Sequence, residues 1–206
     1  MVASLIGLDM RATMDIDTTV RSLPLTIPGA EKIINEIIDV PLGDGVKFEV
    51  LNTSNIMGEH DYPGIRFTLG AKFDKMNERI KIDISTGDVI TPAAVMYSYK
   101  LMFEERSIPI YTYNIETLLA EKLETVMARG TANTRMRDFY DIHVILEQEK
   151  DSIVIENLQK AFLATSQKRD TVHLIPRFYE ILDEINQSEL MERDWNYSDI
   201  DITPIP

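Results

Sequence analysis

A chain of 206 residues, 44% hydrophobic and 27% charged, is long and apolar enough for one sizeable core or a core with an extension. With no cysteine, disulfides, zinc–thiolate sites and thiol nucleophiles are excluded, and three histidines (His60, His143 and His173) argue against a His-rich metal site. The net charge of −13 rules out capture of RNA, DNA or an anionic membrane by the overall field, so any nucleic-acid contact needs a local basic patch, and no apolar run reaches the about 20 residues of a membrane span.

Residues 2–8 (VASLIGL) have the apolar run of a short buried helix, followed by a turn around 9–11. No basic leader precedes them, which predicts a cytoplasmic protein. Residues 13–17 (TMDID) alternate with the period of a strand. Thr13, Asp15 and Asp17 fall on one face, and Met14 and Ile16 on an opposite face expected to be buried. Pro28 and Gly29 open a helix predicted from Ala30 to about Ile38, with Ile33, Ile34, Ile37 and Ile38 as its apolar stripe. A turn at 41–45 (PLGDG) leads into three alternating segments, 46–57, 64–73 and 78–85, the last two joined by a hairpin connection at 72–78. Residues 86–109 are less regular, with one further strand expected over 94–102.

Helices are predicted from Asn114 onward: 116–129, ended by Gly130, then about 134–148, 152–165 and 173–185. The tail from Trp195 reads as irregular. The organisation is therefore an α/β core over 1–113 and a helical region over 114–206.

Three groups of residues carry chemistry. Asp15 and Asp17, at i and i+2 on a strand, point the same way about 6–7 Å apart. That spacing suits one or two Mg²⁺ ions, although a surface strand also carries two aspartates for solubility. In 81–85 (KIDIS), Lys81, Asp83 and Ser85 share one face while Ile80, Ile82 and Ile84 face the core. Asp83 fits a third metal carboxylate or a general base on an incoming hydroxyl, or simply an ordinary half-exposed strand.

The third group is helical: Glu121, Lys122, Arg129, Arg135, Arg137, Asp138 and Asp141. Lys122 and Arg129 project from nearly one face, Arg137 and Asp141 have i,i+4 spacing, and Asp138 and Asp141 have i,i+3 spacing. Two carboxylates so close require a neutralising cation. With Lys122 and Arg137 the set fits a triphosphate-binding cluster; a solvated helix face is the plainer alternative. Arg129, Arg135 and Arg137 flank a Gly/Thr/Asn turn, the strongest local basic patch, suited to phosphates of a nucleotide or an RNA end, or to a helix C-terminus followed by a loop.

The segments RATMDIDTT, RIKIDIS and ETLLAEKLETVMARGTANTRMRDFYDIHVI resemble the AbiEii/AbiGii nucleotidyltransferases, the toxin-side proteins of bacterial abortive-infection and type IV toxin–antitoxin systems. The resemblance covers about residues 1–146, and its third segment is the most specific. It implies a polymerase-β-like α/β (α+β) fold with a mixed sheet, Mg²⁺ or Mn²⁺, an NTP donor and a hydroxyl acceptor such as a tRNA or another RNA, with an antitoxin protein as partner. By position it makes Asp15 and Asp17 the metal pair and Lys81 and Asp83 the second motif. Lys122 becomes the helical lysine on the nucleotide phosphates, and Arg137, Asp138 and Asp141 the final charged motif.

One departure bears on activity. The family's Gly-Gly or Gly-Ser loop, whose backbone N–H groups hold triphosphate oxygens, would fall at or before Met1; Gly7 comes too late. The chain is therefore expected to begin inside the fold and, if nothing precedes Met1, to have a metal site with weak or absent transferase activity, which leaves open a catalytically inactive member acting by binding. A lower-ranked reading takes 15–20 (DIDTTV) as a haloacid-dehalogenase-type phosphatase signature with Asp15 as nucleophile. That fold needs an apolar strand before the motif, where this chain has 9–13 (DMRAT), and a βα alternation after it.

Overall fold

The computed structural model describes residues 15–21, 25–57, 63–101 and 104–198, and of Asp15, Met57 and Pro63 the backbone alone. The helix expected at 2–8, the turn at 9–11, Thr13, Met14, Gly7 and the place of the glycine loop lie outside the described residues. So does the tail beyond Ser198. The chain divides into two compact units, one spanning Ala12–Asp88 and the other containing Val89–Pro206.

In the first unit, strand β1 (Asp15–Val20) is followed by helix α1 (Ile27–Ile38) and strands β2 (Lys47–Met57), β3 (Pro63–Phe73) and β4 (Met76–Thr86). They form a mixed sheet in the order β1-β4-β3-β2, with β1 parallel to β4 and the other neighbours antiparallel. Period-2 alternation sends Ile65, Phe67, Leu69 and Ile84 to one face, where they pack with Ala30 and Ile34 of α1. Full burial of each large member contributes about 1.5–3 kcal/mol. Thr26 starts α1 by accepting from the Gly29 N–H at 3.2 Å, with Pro28 in the first turn. Phe73 pairs with Met76, so only Asp74 and Lys75 make the β3–β4 turn, and Asp74 takes the positive φ of 50° that such a turn demands.

Two expectations are corrected in this unit. The helix stripe is only half buried: Ile34 is covered, but Ile33 and Ile37 are exposed, because the sheet meets a narrower face of α1 than four isoleucines would cover. Ile16 is 50% exposed rather than buried, since β1 ends the strand order and the apolar cluster centres on β3 and β4.

The second unit opens with a two-stranded antiparallel hairpin, β5 (Val95–Lys100) and β6 (Ser107–Thr112). Helices α2 (Ile115–Arg129), α3 (Met136–Glu149), α4 (Ile155–Lys168), α5 (Phe178–Asn186) and α6 (Glu189–Asn196) follow. Strand β6 and helix α6 were not foreseen; Pro109 inside β6 and the weakly apolar run of α6 hid them. The start expected for α5 is a 3-10 segment, Val172–Arg177, which holds Pro176. Asn114 caps α2 by accepting from the Thr117 N–H at 2.7 Å, and Gly130 ends it at φ 50°. Leu118, Leu119, Tyr140, Val144 and Ile145 form the core between α2 and α3.

Among the described residues no helix is long and apolar enough to cross a membrane. The mixed sheet and helical C-terminal part match the expected α/β class. The antiparallel β2–β3–β4 succession departs from the βα alternation that the phosphatase reading needs.

Candidate functional site

The parallel register sets Asp17 beside Asp83 and Asp15 beside Lys81; the antiparallel register sets Arg66 on the other side of Asp83, and Ser54 beside Arg66. Laterally paired residues share a face. Asp17, Asp83, Arg66 and Ser54 thus form one polar row across four strands, on the face opposite the apolar cluster. Asp17 and Lys81 are exposed, and Asp83 retains 20% of its side-chain exposure.

Arg66 grips Asp83 with both arms of its fork, Nε to Oδ1 at 2.7 Å and Nη2 to Oδ2 at 2.6 Å. This bidentate, charge-assisted contact fixes the carboxylate plane. Beside the parallel ladder, the Thr18 hydroxyl donates to the Asp83 carbonyl at 3.1 Å, and the Ser85 hydroxyl donates to Asp88 Oδ2 at 2.5 Å. Arg66 was missed in the sequence because an arginine in an alternating strand looks like any solvent-facing residue. Once the turn is fixed at Asp74–Lys75, counting back along both strands puts it opposite Asp83.

Mg²⁺ asks for hard oxygen ligands and is commonly held by one or two carboxylates together with substrate phosphates. Asp17 and Asp83 at paired positions, with strands about 4.8 Å apart, suit that demand. No group of three or more acidic or histidine side chains that could hold a metal occurs among the described residues, where the Asp15 carboxylate is not included.

In the helical unit, Lys122 on α2 reaches two carboxylates on α3: Asp138 Oδ1 at 2.9 Å and Asp141 Oδ2 at 2.6 Å. Asp141 is completely buried, while Lys122 and Asp138 keep 12% and 16% of their side-chain exposure. This is no solvated helix face. The lysine is the cation that the crowded carboxylates require. Arg135 and Arg137 are exposed at the start of α3, and Arg129 is half-buried at the end of α2.

A second buried charge was not anticipated. Glu124, with no exposure, receives Arg169 Nη1 at 2.5 Å and the Thr171 hydroxyl at 2.8 Å, which ties α2 to the end of α4. Glu116 Oε1 accepts from the N–H of Val154, the residue that precedes α4 and whose side chain makes no capping hydrogen bond, at 3.0 Å.

No curated protein matches the chain. Among solved structures, JHP933 from Helicobacter pylori is similar at 17% identity, over 94% of this chain and 73% of that one, with a TM-score of 0.45. The family model described as "Nucleotidyl transferase AbiEii toxin, Type IV TA system" matches residues 2–202. Matched over nearly its whole length, the chain belongs to the AbiEii family of nucleotidyl transferase toxins from type IV toxin–antitoxin systems.

Proposed function

We propose that the chain moves a nucleotide from an NTP to a hydroxyl on an RNA acceptor, a tRNA being one candidate, with Mg²⁺ or Mn²⁺ bound by Asp15, Asp17 and Asp83. The observation that carries this reading is the placement of Asp17 and Asp83 at paired positions on adjacent strands, with Asp15 two residues upstream opposite Lys81. The bound cation would supply charge neutralisation at the transferring phosphoryl group.

The chain's own residues do the rest. Asp17 and Asp83 offer oxygens on one face, and Lys81 adds a positive charge beside them. In the helical unit, Arg129 and Arg137 would hold phosphate oxygens, as would Lys122, which Asp138 and Asp141 hold at 2.9 and 2.6 Å. Membership of a type IV toxin–antitoxin family makes an antitoxin the expected partner.

The test is incubation with each α-labelled NTP, total RNA and Mg²⁺. Label should pass to RNA from one NTP above the others. Asp15→Ala and Asp17→Asn should abolish transfer and leave the far-UV circular dichroism spectrum unchanged. Wild-type rates in Asp15→Ala would refute the assignment. A second reading, an inactive member that only binds, draws on the two-pronged hold of Arg66 on Asp83. Under it, calorimetry would show NTP or antitoxin binding with no turnover by any NTP.

A further inference from the structure

We propose that Arg66 is a tethered counter-ion that competes with a divalent cation for Asp83. This inference rests on the metal-dependent reading above, and it concerns a residue outside the carboxylate set.

Asp83 is flanked on one side by Asp17 and on the other by Arg66. A carboxylate offers about four lone-pair positions, and the fork of Arg66 takes one on each oxygen at 2.7 and 2.6 Å. A cation arriving from the Asp17 side meets a carboxylate whose charge is already neutralised and a guanidinium that repels it. The chain's tether makes that competitor permanent: its effective concentration at Asp83 does not fall when bulk salt or substrate changes.

The pair is also poised to yield. Arg66 keeps 39% and Asp83 20% of their side-chain exposure, so water can solvate either partner when the fork opens. Opening a solvent-accessible pair costs less than opening a fully buried one, because water takes up the hydrogen bonds that each partner gives up. A divalent ion bridging Asp17 and Asp83 carries twice the charge of the guanidinium. Addition of triphosphate oxygens to its coordination shell would tip the exchange further. Arg66 therefore makes cation capture at Asp83 conditional on a strong competing ligand set, while the carboxylate stays oriented between turnovers.

The experiment is Mn²⁺ binding to the full chain, followed by the electron paramagnetic resonance signal of free aquo-Mn²⁺, with no NTP present. Removing a neighbouring like charge from a partly solvated site typically changes affinity about tenfold. Arg66→Met should bind Mn²⁺ about tenfold more tightly than wild type, Arg66→Lys should fall between them, and the gain should vanish in Arg66→Met with Asp83→Asn. Tighter binding is a result that a merely structural arginine would not give.

Unchanged or weaker binding in a folded Arg66→Met, together with normal binding by wild type, overturns the competition and leaves the metal site standing. Should Arg66→Met misfold, the Arg66→Lys comparison decides in the same way. If neither wild type nor a folded Arg66→Met binds Mn²⁺, both the site and this inference fall.

Discussion

The two units use the same ingredients, a pair of carboxylates and one cationic side chain, to opposite ends. On the sheet, Asp17, Asp83 and Arg66 lie in a row on the face away from the apolar cluster, with Asp17 exposed and Arg66 and Asp83 partly so. Between α2 and α3, Lys122 closes on Asp138 and Asp141 with almost no water left around them. A charge cluster in contact with solvent can exchange partners at small cost. One that has lost its water cannot, because every departure strands a charge in low dielectric. The open cluster is therefore free to exchange partners, and the closed one is not. This puts a condition on the role proposed for Lys122: a phosphate would have to join the existing pair of carboxylates rather than displace them.

The contrast makes graded predictions. Lys122→Met should show the largest effect, a loss of about 3–5 kcal/mol in urea unfolding, because the fully buried Asp141 loses its ammonium partner at 2.6 Å. A loss under about 1 kcal/mol would show that the closed cluster is as yielding as the open one. Glu124→Ala should come next, at about 2–4 kcal/mol, since Arg169 and the Thr171 hydroxyl lose the buried carboxylate they share and keep only their weaker contacts to Thr125, Glu121 and the Ser166 carbonyl. Asp17→Asn, at an exposed position, should stay within about 0.5 kcal/mol of wild type by the same measurement while transfer disappears.

The smallest effect should come from the exposed Glu156–Lys160 pair on α4, 2.6 Å apart. The hydrogen bond and charge of Lys160 hold the Glu156 carboxyl below its ordinary value of 4.5. A lowered carboxyl stabilises the fold above that ordinary value and loses the contribution as pH falls through the depressed one. The stability difference between wild type and Glu156→Gln should therefore shrink between about pH 6 and pH 3, and shrink also with added salt.

How much of this was legible in the sequence follows from what each element exposes. Strands β2 to β4 could be read because one face packs on α1 and the other stays polar, so that Ile65, Phe67 and Leu69 alternate visibly with Arg66 and Thr68. Helices α2 and α3 announced themselves through Asn114, Gly130 and their apolar spacing. Strand β6 did not, because its partner is a single strand and Pro109 interrupts its pattern. In the two charged clusters, local spacing flagged Asp17 and Asp83 on the sheet and Lys122, Asp138 and Asp141 on the helices. The pairings of Asp83 with Arg66 and of Glu124 with Arg169 were invisible, since one depends on hairpin register and the other on helix packing over 45 residues of sequence.

The two-residue turn at Asp74–Lys75 carries a consequence for how such a chain tolerates change. Side chains alternate strictly along paired strands, so one residue added to or removed from that turn would rotate Arg66 and Asp83 out of alignment without disturbing the composition of either strand. Because such a slip would also turn Ile80, Ile82 and Ile84 away from α1, the charged row and the apolar face keep or lose their register together. The spacing of the hairpin is thus as much a part of the chemistry as the acids it presents.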